Sequence, residues 1–296
     1  HMTPRQLLEL VLLASLWGAS FLFMRIGAPE MGPVLLIALR TLVGGLFLLP
    51  FLAWYNGHRG AGRHLPVIAL VGVLGSAMPF ALIAYATLTV TAGYASILNA
   101  TTPIFGALVA WIWLRERLAA SGIVGLMIGF GGVFVLVWGR GETPSPELGL
   151  AVTAALSATL LYAIAANITR RHLAGVHPLT LATLSQLFAA VALLPLALYL
   201  LPEEMPSVKA WWSVLLLGVA CTGLAYILYF RLISQVGPTK TLTVTYLIPA
   251  FGLFWGWLFL EEEIGLSMVA GGLLILLGVG LTTGVLARRP RHAGET

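Results

Sequence analysis

Two distant stretches of this chain carry the same pattern. Pro103-Ile104-Phe105-Gly106 aligns without gaps with Pro249-Ala250-Phe251-Gly252, and Trp111 with Trp257, Leu114 with Leu260, Glu116 with Glu262, Ser121 with Ser267 and Gly125 with Gly271 follow in step. The echo continues upstream through Trp17 and Tyr162, Arg25 and Arg170, Pro33 and Pro178, and Pro50 and Pro195, and with small shifts through Tyr85 and Tyr229 and Gly93 and Gly237. Self-similarity on this scale marks a duplicated structural unit. It divides the chain into two halves, residues 3–140 and 146–289.

Both halves are made of long apolar runs. Spanning a bilayer takes about 20 apolar residues as helix, and ten such runs occur: 7–27, 33–55, 66–87, 92–114, 120–137, 148–168, 179–201, 210–233, 239–260 and 268–286. With 59% apolar and 9% charged residues, and a mean hydropathy of +0.97, the chain reads as a polytopic membrane protein. The strand-like alternation of a transmembrane barrel is absent. The first run is not read as a signal peptide, because nine more follow and its counterpart in the second half is internal. Cys221 is the sole cysteine, so no disulfide and no thiolate metal centre is expected.

The net charge of +5 is a matter of topology. With the N-terminus inside, one face collects Arg5, Arg59, Arg63, Arg115, Arg117, Arg170, Arg171, Arg231, Lys240, Arg288, Arg289 and Arg291, while the other has Arg25, Arg140 and Lys209. That bias follows the positive-inside rule; it predicts cytoplasmic termini and needs no nucleic-acid partner. Five helices per half is an odd number, so the second half is expected upside down relative to the first, the inverted repeat of many secondary transporters.

Trp17-Gly18-Ala19-Ser20-Phe21 in the first run, Arg40 in the second, Pro103 and Glu116 bracketing the fourth, and their echoes Pro249 and Glu262 resemble the EamA repeat of the drug/metabolite transporter superfamily. The resemblance covers nearly the whole chain as two tandem copies, and within the family the chain is most similar to the YddG-type amino-acid exporters. It implies an all-α membrane protein of ten transmembrane helices, two inverted five-helix repeats around a central cavity. It further implies export of amino acids, aromatic or other neutral ones, or of related metabolites from a bacterium across its inner membrane. Tyr162 departs from the pattern, standing where the first repeat has Trp17.

The residues themselves suggest where a substrate would sit. Proline within a helix strips the partner from the carbonyl four residues earlier, here those of Asn99 and Thr245. In lipid such a carbonyl must be re-satisfied by protein or face a wet cavity, and proline-interrupted segments at matching places in two halves point to a transport site. Packing kinks are the alternative. Arg40 lies about 10 Å along its helix from Pro33, at about 1.5 Å per residue. A charge at such depth marks a functional site by default: it holds a substrate carboxylate in its fork, caps freed carbonyls or snorkels outward. Trp17, Phe80, Tyr85, Tyr162, Tyr226 and Tyr246 are aromatics away from the helix ends; all but Tyr226 are taken into the expected substrate pocket, with bundle packing as their other reading. Glu116 and Glu262, at helix ends, are expected to anchor or gate the two faces.

The chain has no aspartate, and all its glutamates and histidines fall in loops, termini or helix ends. A buried carboxylate or histidine relay for proton coupling is therefore not expected. Nucleotide loops, His-Glu-x-x-His and Gly-x-Ser-x-Gly are missing too, so the chain reads as neither ATP-driven nor an enzyme, with no cofactor or metal. A multidrug or lipophilic-cation exporter would want an embedded carboxylate; that reading and a carrier of a non-amino-acid metabolite are the alternatives. The expected partners are a small-molecule substrate and membrane lipid. Gly-x-x-x-Gly pairs at Gly125/Gly129 and Gly252/Gly256 serve either helix packing or dimerisation, leaving a monomer or a weak homodimer.

Overall fold

The ten apolar runs are ten helices in the computed structural model, which describes residues 2–55, 61–139 and 144–286. They are α1 (Pro4–Met31), α2 (Pro33–Trp54), α3 (Gly62–Ala86), α4 (Ala92–Leu114), α5 (Ala120–Trp138), α6 (Pro146–His172), α7 (Pro178–Tyr199), α8 (Val208–Val236), α9 (Val244–Leu260) and α10 (Leu266–Thr282). No strand occurs among the described residues. The first eight are long and apolar enough to cross a membrane, and α9 and α10 are shorter. The chain is thus a multi-pass membrane protein. Arg59, Arg140, Arg288, Arg289 and Arg291, which contribute to the charge bias, lie outside the described residues.

Local chemistry explains the boundaries. Pro4, Pro33, Pro146 and Pro178 open α1, α2, α6 and α7, where a missing amide hydrogen costs nothing. Thr91, Ser145, Ser207 and His177 cap α4, α6, α8 and α7 with side-chain acceptors. Thr3 and Gln6 form a reciprocal capping box at the start of α1, with bonds of 2.9 and 3.3 Å. The C-terminal ends of α4 and α9 match closely. Arg115 and Glu261 take left-handed backbone at φ 54° and 53°, and the amides of Glu116 and Glu262 reach back to the carbonyls of Ala110 and Gly256 at 3.2 and 3.3 Å. Each bond reaches back six residues, one further than the Schellman bond, and each turn does without the usual glycine.

Helix α5 packs along α10, α2 along α7, α1 along α9 and the first half of α4 along α9. The α5–α10 seam is made of glycine: a Cβ on Gly132 would lie 2.8 Å from the carbonyl oxygen of Gly271, and one on Gly278 would lie 2.6 Å from that of Gly125. Gly129 faces Ile104 and Gly278, Gly252 faces Ser96, and Gly256 faces the Glu262 carboxylate. Both Gly-x-x-x-Gly pairs are therefore used inside the molecule, where small residues let backbones approach in the absence of a hydrophobic driving force. Gly278→Leu is expected to cost about 3 kcal/mol or more through overpacking and to lower the melting temperature in detergent. Gly131→Leu, with open space at its Cα, should leave it unchanged.

Two features differ from the expectation. The ninth run does not become one continuous helix: a four-residue helix, Pro238–Thr241, is followed by a turn at Leu242 and Thr243 before α9 begins at Val244. Glu9 is at a helix end as expected, yet it is buried, because α8 packs over it and brings Arg231 to 3.2 Å; Arg5 pairs with it at 3.3 Å.

A candidate substrate cavity between the helices

A cavity of about 750 Å³ opens into the bundle, lined by α1, α2, α3, α4, α6, α7, α8, α9 and the turn before α9. It reaches Thr169, Arg170 and Leu181, where α6 ends and α7 begins, and Leu242 before α9. The same end of the molecule holds the start of α1 and the end of α8, joined by Gln6 and Gln235 at 3.5 Å. We call it the near end. In the opposite direction the lining stops at Met24, Ile83 and Pro249.

Arg40 is in the cavity wall, 3% exposed. Its Nε donates to the Thr222 hydroxyl at 3.0 Å and its Nη2 to the Ser20 hydroxyl at 3.5 Å. The guanidinium lies over the Phe80 ring, 4.0 Å from the centroid, a cation–π contact that partly compensates for lost water. Nη1 is buried without a partner. Thr222 owes its position to a π-helical stretch of α8, Leu216–Leu224; its hydroxyl donates to the Leu217 carbonyl five residues back at 2.8 Å, the spacing a π-turn allows. A second π-helical stretch, Val73–Ala77 of α3, presents Ser76, which accepts from Gln186 of α7 at 2.9 Å.

Asn99 supplies the complementary group. Its side-chain Oδ1 is buried without a partner, at the edge of the break that separates Ala92–Asn99 from Thr102–Leu114 within α4. The break differs from the expected one. Pro103 falls in the first turn of the second segment, where its missing amide hydrogen deprives no carbonyl, and the Asn99 carbonyl accepts from the Thr102 hydroxyl at 2.7 Å. Pro249 lies inside α9, which runs through it unbroken; it deprives the Thr245 carbonyl of its helical donor, and Thr245 and Pro249 both line the cavity. The free acceptor beside Pro103 is thus the side chain of Asn99 and not its backbone.

Of the remaining candidates, Trp17, Phe80 and Tyr162 line the cavity and Tyr85 and Tyr246 do not. Trp17 packs on Tyr229 with centroids 5.3 Å apart, and Phe80 meets Tyr162 edge-on at 6.0 Å. Tyr85 is five residues beyond Phe80, about 140° round the helix at 3.6 residues per turn, and is 43% exposed on the outer face. The Tyr246 hydroxyl pairs with that of Thr283 at 3.2 Å, beyond the end of α10. The sequence reading assigned no role to Ser20, Thr222, Thr102 or Tyr229. A polar residue amid an apolar run was the available signal for the first three.

Glu116 and Glu262 sit at opposite ends with different partners. Glu262 accepts from the amides of Ala92 and Gly93 at 2.8 and 3.3 Å, satisfying the first turn of α4 at the far end. Shortly before Ala92 in the chain, the carbonyl of Thr87 accepts from the Arg25 guanidinium. At the near end Glu116 pairs with Arg170 at 2.6 Å, and Arg170 also donates to Asn167 at 3.3 Å.

The EamA-like transporter family matches residues 6–138 and again residues 149–284. Among curated proteins the chain is similar to the uncharacterized transporter YdfC of Bacillus subtilis, 29% identical over 92% of this chain and 88% of that protein. It is also similar to YoaV, another uncharacterized transporter of B. subtilis, 25% identical over 96% and 98%. A probable terminal-alkyne amino-acid exporter of Streptantibioticus cattleyicolor is 27% identical over 96% and 95%. A solved crystal structure shares the fold with a TM-score of 0.66 at 19% identity, covering 96% of this chain and 98% of its own.

Proposed function

The chain belongs to the EamA-like transporter family, whose members are transporters and not enzymes, and we propose that it exports neutral amino acids, aromatic ones among them, across a bacterial inner membrane by alternating access. The observation that carries this reading is the pair of unsatisfied groups at the cavity, Arg40 Nη1 and Asn99 Oδ1. A buried donor on a cation and a buried acceptor each carry a desolvation penalty that a ligand can relieve. A zwitterion brings a carboxylate for the first and an ammonium with three donors for the second. Trp17, Phe80 and Tyr162 then offer an apolar aromatic wall to the substrate side chain. The exporter named for a terminal-alkyne amino acid is a further support. A lipophilic-cation substrate fits poorly, because Arg40 and Arg170 line the cavity and no carboxylate does among the described residues.

The inverted repeat, with units 3–140 and 146–289, accounts for the packing. Exchanging the halves turns the α1–α9 contact into α6–α4, the α3–α6 contact into α8–α1 and the α2–α8 contact into α7–α3, and each of these occurs. The α2–α7, α4–α9 and α5–α10 contacts map onto themselves. Termini in the cytoplasm place the near end on the cytoplasmic side, so the cavity is filled from within the cell. The transporter works as a monomer or a weak homodimer.

Proteoliposomes test the reading with labelled tyrosine or phenylalanine under counterflow. Uptake is expected to persist when the proton gradient is collapsed, since no carboxylate or histidine lines the cavity among the described residues. An amine lacking the carboxylate, such as tyramine, should compete about tenfold less well, the loss of one charge-assisted contact. Equal competition by tyramine and tyrosine would remove the zwitterion from the proposal.

A further inference from the structure

The two halves end their fourth helices identically and yet use the next residue differently. Arg115–Glu116 and Glu261–Glu262 share the left-handed turn and the back-bonded amide. At the far end, which the cavity does not reach, Glu262 is docked on the amides of Ala92 and Gly93, and Arg25 is docked on the carbonyl of Thr87. At the near end, into which the cavity opens, the repeat-related Arg170 and Glu116 hold each other and have no backbone partner among the described residues. One structure therefore contains both conditions of one repeat-related pair.

We propose that these four residues form an exchange lock that sets which end of the cavity is open, an inference that rests on the alternating-access reading. When the near end closes, Arg170 and Glu116 part and dock on the backbone at the end of α8 and on the stretch from Gly237 to Lys240, which, in the ungapped register of Pro103 with Pro249 and two residues off the Gly93–Gly237 echo, stands where Thr91 to Tyr94 stand in the first half. Glu262 and Arg25 leave their backbone partners as the far end opens. The physical reason is that a carboxylate on helix-start amides is a charge-assisted bond, here part-buried, whereas the Glu116–Arg170 pair, with side chains 53% and 57% exposed, is screened by water and holds little. Docking is thus the tighter condition at either end. Pro238 occupies the place of Ala92 and has no amide hydrogen, so Glu116 gains one amide fewer on docking than Glu262 does. That asymmetry favours the near-open state seen here.

Cys221 is the reporter, being the sole cysteine and part of the cavity wall. A small membrane-impermeant methanethiosulfonate would be applied to each face of vesicles containing the full chain, and the far-to-near ratio of labelling rates measured. Glu262→Gln is expected to raise that ratio about tenfold, the equivalent of losing a charged hydrogen bond. Glu116→Gln is expected to lower it, and the double variant to fall between. A general structural defect would not move the ratio in opposite directions. Should Glu262→Gln not fold, Glu116→Gln decides alone, since its carboxylate is half exposed. If the parent is labelled from both faces but the ratio is unmoved, or moves the same way in both variants, the exchange lock is wrong and alternating access stands. Labelling of the parent from one face only, even during counterflow, overturns the alternating-access reading and the lock with it.

Discussion

Arg40→Gln is expected to weaken amino-acid binding by about 2 kcal/mol or more, roughly thirtyfold, the lower range for truncating one partner of a buried charge pair. The guanidinium is already held by Thr222, Ser20 and the face of Phe80, so its free Nη1 is pre-positioned and little ordering entropy remains to be lost on binding. Glutamine keeps a donor for Thr222 but neither the charge nor the fork. The variant should fold, since removing a buried cation that has no carboxylate partner relieves desolvation. Arg40→Lys should recover only part of the affinity, because an ammonium cannot hold Thr222 and a carboxylate in the same plane. Equilibrium binding of labelled phenylalanine to purified protein checks this. Selectivity for phenylalanine over phenethylamine should collapse in the glutamine variant. Unchanged affinity would make Arg40 a brace between α1, α2 and α8 and nothing more.

Asn99→Ala is expected to cost about 1 to 3 kcal/mol in substrate binding, the penalty for a lost buried partner, with folding preserved because Oδ1 has no protein partner to lose. Pro103→Ala is the contrasting case. Read from the sequence, the proline frees the Asn99 carbonyl and its removal should impair transport. In the structure it occupies the first helical turn after the break, where an amide hydrogen is unused, so Pro103→Ala should leave binding within about 0.5 kcal/mol of the parent, as for a substitution that breaks no contact. Transport by the two variants at equal expression separates the readings: a strong defect in Pro103→Ala with a normal Asn99→Ala would return the site to the backbone carbonyl.

What was legible in advance was whatever depends on local composition and spacing. Ten apolar runs became ten helices because lipid leaves the backbone no alternative to satisfying its own hydrogen bonds. The caps at their starts, such as Ser145 and Ser207, went unread although the signal is local, since an exposed amide at a helix start is answered by the nearest residues. Arg40 stood out because a cation deep in an apolar run is expensive wherever the chain goes. Tyr85 and Tyr246 were misplaced because an apolar run that is buried or lipid-facing all round carries no amphipathic signal, so the face each aromatic presents cannot be read from its neighbours. The partner of each glycine in Gly125, Gly129, Gly271 and Gly278 was equally invisible; only the α5–α10 crossing brings them together.

The sequence by itself determined the membrane class, the helices and the family, because hydropathy acts within a single helix and the repeat is a likeness between two stretches of chain, and neither depends on which helices touch. Tertiary structure alone decided the site. It set Thr222 and Ser20 against Arg40, left Nη1 and Oδ1 without partners, buried Glu9 against Arg231, and gave Glu262 and Glu116 different partners despite identical local turns. Those outcomes depend on contacts between residues such as Arg40 and Thr222, 182 positions apart. In a bundle whose faces are all apolar, close packing of backbones and not local pattern chooses which side chains meet.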